Sequence, residues 1–309
     1  MKKNNLIKSI FSDFEGKVGS RSVKVKFKNK ISKSDVFVSK LTGTVYHSPN
    51  ISALKGVEGW SKKIYSKKLD PKNIKYTGNN RIQKTRYYYA ALFLNEIIDG
   101  KKKIRFCDYA TGEGYFGLEL LRLYKNLEFN FTEHSPTLFK DTVKRIKKIS
   151  KYKFFTHKGS IESSIINKKL KNLDCASLLW TLSACVKPLD IMNTIHSSLK
   201  KDGYLLISDS SRIMVPYKKP IYNFFVKNDH SRNTHPFFFS YNSLSNLLEV
   251  SGFRIIKSNR YYDENDLVII AQKKNKKTHK PKILVDKHKR VLKFLKDWEK
   301  VSFELKDNY

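Results

Sequence analysis

The chain has 309 residues, 40% of them apolar and 13% aromatic, which is enough for a packed core and excludes a wholly disordered chain. Its formal net charge of +34 suggests an anionic partner, yet only 11 of the 62 basic residues are arginine, the residue that phosphate and base recognition favours. No apolar run of about 18 residues suggests a membrane span, charge interrupts Met1–Lys8 before a signal-peptide core forms, and the scattered Cys107, Cys175 and Cys185 make neither a disulfide framework nor a zinc site, so a cytoplasmic location and no metal are expected.

Residues 1–75 read as a small β-rich appendage and linker. Ser22–Phe27 alternates as a strand, and Val36–Val38 and Val45–Tyr46 flank a Leu41–Thr44 turn as a hairpin. From 76 to 274 the pattern changes. An amphipathic helix through Tyr87–Ile98 closes at Gly100. Strands are expected at Ile104–Cys107, Leu127–Thr132, Phe154–Thr156, Cys175–Leu182, Tyr204–Ser208, Phe253–Lys257 and Leu267–Ala271. Helices are expected at Phe116–Tyr124, Thr137–Ile149, Ile191–Leu199 and Leu244–Ser251. Such alternation predicts an α/β fold, a mostly parallel sheet with helices on both faces. Residues 275–309 give a basic linker and a helix capped by Asp286, with Val291, Leu292, Leu295 and Trp298 on one side.

The segment Asp108-Tyr109-Ala110-Thr111-Gly112-Glu113-Gly114, with Gly117 beyond it, joins the first of these strands to a helix. Gly112 and Gly114 let the backbone turn tightly and approach a ligand, and Gly117 permits close helix–strand packing. Glu133 ends the next strand, where a carboxylate can accept hydrogen bonds from two ribose hydroxyls. A dinucleotide fold usually runs its strand straight into the first glycine; here Asp108 ends the strand and three residues intervene. That D-x-x-x-G-x-G arrangement resembles motif I of the class I S-adenosylmethionine-dependent methyltransferases. Lys158–Glu162 resembles the turn beside the adenine, with Ser160 where an Asp is usual. Leu173–Leu182 resembles the fourth strand, Leu199–Ile207 the entry to the fifth, and Ser240–Phe253 the closing helix and strand. The resemblance spans about two-thirds of the chain.

It implies a Rossmann-like seven-stranded sheet and S-adenosylmethionine as cofactor, lined by Asp108, Ala110, Gly112, Gly114, Glu133, Ser160, Ile161 and a basic residue near its carboxylate, read as Arg81. Trp180 and Thr181, closing the fourth strand, are the expected acceptor-pocket residues; a plain core role for Trp180 is equally open. His235, in the H-x-x-x-[FY]-[ST] lead-in that many small-molecule members share, is the first choice of catalytic residue, as a general base, against a loop histidine that only packs or hydrogen-bonds. His230 and Asp209 are weaker candidates. The insertion Ser210–Pro236 is expected over the active site, where Lys218, Lys219 and Lys227 suit an anionic sugar or lipid precursor. The expected activity is methyl transfer to such a small molecule. An RNA methyltransferase using the lysine-rich surface and a non-catalytic cofactor-binding module stay open as alternatives.

Overall fold

The computed structural model describes residues 21–29, 31, 35–47, 78–149, 154–161, 169–185, 187–209, 212–215, 220–225, 235–259 and 266–304. Three short strands come first: β1 (Ser22–Lys24), β2 (Val36–Ser39) and β3 (Val45–His47). After helix α1 (Gly78–Asn95) come β4 (Ile104–Tyr109), α2 (Tyr115–Leu123), β5 (Leu127–Glu133), α3 (Pro136–Ile149), β6 (Phe154–Lys158) and β7 (Leu173–Leu179). A 3-10 turn at Leu182–Ala184 leads to α4 (Pro188–Ser198), β8 (Leu199–Asp209), α5 (Ile221–Phe225), β9 (Phe237–Phe238), α6 (Tyr241–Val250), β10 (Phe253–Ser258), β11 (Leu267–Lys273) and α7 (His288–Glu304).

Seven strands form one sheet in the order β10-β11-β8-β7-β4-β5-β6. Its β8, β7, β4, β5 and β6 run parallel, while β11 and β10 add antiparallel pairings. The fold is the expected Rossmann-like one. Most residues of its central strands are buried, polar ones included, because helices cover both faces. Phe106, Phe129 and Phe131 are buried on one side, and Phe106 stacks on Phe129 at 6.2 Å between ring centres. The other side holds Cys107, Ala176, Leu178, Leu205 and Ile207. Gly117 makes one contact possible: a Cβ there would stand 2.4 Å from Phe129 Cζ, so only glycine lets α2 lie this close to β5.

The second sheet is antiparallel, in the order β1-β2-β3-β9. Its fourth strand comes from the insertion, as β3 pairs with β9 through Val45↔Phe238 and Tyr46↔Phe237. A third apolar cluster joins Val36, Val38 and Val45 of this sheet to Ile221 and Phe225 of α5 and to Val291, Leu295 and Trp298 of α7. The N-terminal strands, the insertion and the last helix thus share one core.

Three local expectations change. The strand expected through Leu182 ends at Leu179, because Trp180 turns into left-handed backbone (φ 54°) and the 3-10 turn follows. Asp286 does not cap the last helix; its carboxylate accepts from Ser240 Oγ at 2.5 Å and Asn242 Nδ2 at 2.8 Å, tying α7's lead-in to the start of α6. β8 starts earlier than expected, at Leu199, and carries the expected turn within it at Asp202 (φ 59°). Among the described residues no helix is long and apolar enough to cross a membrane.

Candidate functional site

In a parallel sheet every strand delivers its last residues to one edge, and ligands bind there. β4 brings Asp108 to that edge, β5 Glu133, β7 Trp180 and β8 Asp209.

The loop after β4 is bent by three residues in left-handed backbone, Ala110 (φ 51°), Gly112 (φ 59°) and Gly114 (φ 77°). For Ala110 this conformation is costly, and such strain collects at functional sites. Hydrogen bonds over-determine it. Ala110 N–H donates to Thr132 Oγ1 at 3.0 Å and Thr111 N–H to Thr132 O at 2.9 Å. Thr142 Oγ1 donates to Gly112 O at 2.7 Å, and Arg145 donates to the Glu113 carbonyl. Gly114 is needed for packing as well as for its φ, since a Cβ would meet Thr142 Cγ2 at 2.5 Å. Gly112 differs: among the described residues nothing lies within 4 Å of where its Cβ would stand.

Asp108 lies under this loop. Ser177 Oγ donates to one of its oxygens and Thr111 Oγ1 to the other, each at 2.6 Å. Burial pushes its carboxyl up to about 6, the two hydroxyl bonds restrain the rise, and Glu133 adds to it. Asp108 is therefore fully engaged within the protein and shapes the loop from beneath. Glu133 is buried too. Gly112 N–H donates to its Oε2 at 2.8 Å and Ser135 N–H to its Oε1 at 2.7 Å, which leaves each oxygen a further lone pair. Desolvation raises its carboxyl above the ordinary range, against those amide bonds. Gly159 N–H donates to Glu133 O at 3.0 Å, which sets half-buried Ser160 and buried Ile161 beside the same strand end.

Across the edge, Trp180 is held by its N–H donating to Ser208 O at 2.8 Å. Tyr87 of α1 meets its indole edge-on at 4.9 Å, and the Arg86 guanidinium carbon lies 3.8 Å from the ring centre. Arg86 Nη1 is 3.9 Å from Asp266 Oδ2. Trp180 Nε1 and Arg86 Nε are buried donors without a described partner. Burial raises the Tyr87 hydroxyl and Arg86 holds the rise back; the Tyr87 ring lies 6.0 Å from that of Tyr115, the first residue of α2 after the glycine loop. Thr181 turns inward on its own strand, Oγ1 donating to Leu179 O at 3.0 Å. His235, just before β9, has Nδ1 2.9 Å from Ser183 Oγ in the 3-10 turn, and Ser183 N–H donates to Asp209 Oδ2 at 2.8 Å.

The glycine loop, Glu133, Ser160 and Ile161 thus gather on the β4–β5–β6 side, and Trp180, Thr181 and His235 on the β7–β8 side. Arg81 lies in α1 where the side chains are not described; His230, Lys218, Lys219 and Lys227 also lie outside the described residues. Sequence reasoning missed Arg86 and Tyr87, marked only by heading a Tyr-Tyr-Tyr run, and Thr111, Ser177 and Ser183, small hydroxyls with no signal before their strands are aligned.

Residues 82–258 match a protein family described as a methyltransferase domain. No curated protein matches the chain. Among solved structures, a carbon methyltransferase named CurJ is 11% identical, covering 74% of this chain and 73% of its own, at a TM-score of 0.50. A candidate O-methyltransferase of Nostoc punctiforme PCC 73102 is 16% identical at a TM-score of 0.48; it covers 61% of this chain, which spans only 56% of that protein. A SAM-dependent methyltransferase of Aquifex aeolicus is 14% identical at 0.45, covering 59% of this chain and 88% of its own.

Proposed function

Because this chain belongs to the methyltransferase-domain family and S-adenosylmethionine is its cofactor, we propose that it transfers the cofactor's methyl group to a small-molecule acceptor bound over Trp180 and Thr181. The observation that carries this reading is the division of one sheet edge into two chemically different halves. One half is bare backbone and a buried carboxylate; the other is an aromatic wall with a histidine.

The first half fits the cofactor. The space in front of Gly112 is open, and the free lone pairs of Glu133 suit the two hydroxyls of a ribose. Buried donors at Arg86 Nε and Trp180 Nε1 suit a ligand that brings a carboxylate. Arg86 takes the part expected of Arg81. Ser160 and Ile161 would flank the adenine, a hydroxyl standing where the family usually has an acid, and Ala110, Gly112 and Gly114 would cradle the chain between base and carboxylate.

When bound, the cofactor supplies a methyl already activated by its sulfonium. The protein's task is then alignment and exclusion of water. Asp108 holds the loop's curve through Thr111 and braces it on β7 through Ser177. Trp180, fixed by Tyr87 and Arg86, gives the acceptor side a flat apolar wall, and His235 is the catalytic residue proposed there. β9 and the N-terminal sheet stand beside His235, since the His47 backbone N–H donates to Pro236 O at 2.9 Å. A preference for anionic sugars or lipids draws no support from the described residues.

Tritiated cofactor incubated with the protein and a desalted metabolite extract, beside total RNA, tests this directly. Label should enter the small-molecule fraction and be lost with Glu133→Ala. Label confined to RNA would overturn the acceptor class, and no transfer to either by a protein that binds the cofactor would overturn catalysis.

A further inference from the structure

Helix α3 turns Phe139, Val143 and Ile146 toward the core that holds Phe129 and Phe131. Thr142 stands in the same stripe, about one turn from Phe139 and from Ile146, and is fully buried. Packing alone would favour an apolar side chain there. A threonine inside a helix commonly turns its hydroxyl back onto a carbonyl of the preceding turn. Here the hydroxyl reaches out of the helix and donates to Gly112 O at 2.7 Å. Arg145, three residues on and a neighbour on the helix surface, donates to the next carbonyl, that of Glu113. Its guanidinium carbon also lies 4.7 Å from the ring centre of Tyr115, the first residue of α2. Two donors one helical turn apart therefore hold two successive carbonyls of the glycine loop.

The loop's amides are held by the same unit of chain. Ala110 and Thr111 donate to Thr132 Oγ1 and O, and Gly112 donates to Glu133 Oε2. Thr132 and Glu133 are the last residues of β5, and α3 follows directly. The fit is mutual, since a Cβ at Gly114 would meet Thr142 Cγ2 at 2.5 Å. This loop needs holding. Ala110, Gly112 and Gly114 take left-handed backbone, which is costly for Ala110 and only one of several conformations open to a glycine. A ligand that had to order such a loop would bind more weakly for it.

We propose that Thr142 and Arg145 are positioning residues, a clamp on α3 that keeps the glycine loop in its cofactor-receiving shape before the cofactor arrives. They act through the carbonyls of Gly112 and Glu113. The proposal rests on reading that loop as the cofactor's seat. Loss of the clamp then shows as weaker cofactor binding and a looser loop, with the fold retained. The hydroxyl of Thr142 is the part that matters, and its shape alone is not enough.

Three variants of the full chain test this. Thr142→Val keeps the branched shape and removes the donor, Thr142→Ser keeps the donor, and Arg145→Met keeps the stem without the guanidinium. Calorimetric titration with S-adenosylhomocysteine should give a Kd about tenfold weaker for Thr142→Val and for Arg145→Met, with Thr142→Ser close to wild type. In the free proteins, amide hydrogen exchange over residues 110–114 should be faster in the two weakened variants and unchanged at Phe129 and Phe131 of β5. Wild-type affinity in Thr142→Val would overturn the proposal, and so would a Thr142→Ser as weak as Thr142→Val. If Thr142→Val does not fold, Arg145→Met decides, wild-type affinity there overturning the clamp. Failure of the underlying reading is seen separately, as absence of heat from the wild type; loop exchange in the free variants then still decides whether α3 holds the loop.

Discussion

Gly112 and Gly117 carry the same side chain for opposite reasons. At Gly117 an added methyl runs into Phe129, so Gly117→Ala should cost about 1–3 kcal/mol through overpacking, read as a lower urea midpoint. At Gly112 the methyl meets none of the described residues, and the cost to folding is that of the left-handed backbone, about 1–2 kcal/mol. Its methyl enters the space assigned to the cofactor, so Gly112→Ala should weaken cofactor binding by about tenfold or more, equal to some 1.4 kcal/mol. Equal binding by Gly112→Ala and wild type would remove that assignment. Asp108 carries a pH signature. Its native carboxyl titrates near 6, above the ordinary 3.8, so the stability tied to its protonated form is full below about pH 4 and is lost as pH rises through 6. Asp108→Asn deletes that slope. Relative to wild type it should gain up to about 3 kcal/mol between pH 4 and pH 7 in urea unfolding, and a constant difference would contradict the cause given. Glu133 was legible in the sequence because its distance from the glycines is set by one strand–helix–strand unit. Ser177 was not: its bond to Asp108 exists only once β7 lies beside β4, and no local pattern marks which serine will face which acid.

The elements of the main sheet were readable because each central strand is a short run bearing several buried apolar residues, set off from the next strand by a helix. The two-residue β9 was not. Phe237 and Phe238 read as the approach to α6, and their pairing with β3 depends on a partner far upstream. That pairing carries His47, buried between the rings of Phe225 and Phe238 at 5.9 and 5.1 Å. Its native value of about 4 lies below the ordinary 6.5, so its contribution is present above pH 6.5 and is lost as pH falls through 4. The second sheet should therefore loosen in that window, seen as faster amide exchange at β3 and β9, and His47→Gln should blunt the change. Equal acid sensitivity in both proteins would place the cause elsewhere.

The whole molecule has a cofactor-binding sheet and, beside it, a core built from three separated stretches of chain. Composition predicts neither arrangement, and the closing of that core by α7 becomes visible only when Val291, Leu295 and Trp298 are seen against β2 and α5. Burial of three such side chains contributes roughly 1.5–3 kcal/mol each, comparable with the whole stability of an ordinary domain. A chain ending at Lys287 should accordingly lose the second sheet, with a lower Tm and exposed apolar surface that binds a hydrophobic dye; an unchanged Tm would show that α7 is dispensable. Among the described residues the lysines are spread over helices, strand ends and connecting loops alike. The proposed cofactor site rests on Gly112 and on Glu133, whose Oε2 accepts from the Gly112 N–H at 2.8 Å. Calorimetric titration with S-adenosylhomocysteine, the demethylated product, interrogates it most directly. One-site binding by the wild type, at least about tenfold weaker in Glu133→Ala, with no heat from NADH, is the result predicted. Heat from NADH and none from S-adenosylhomocysteine would contradict it.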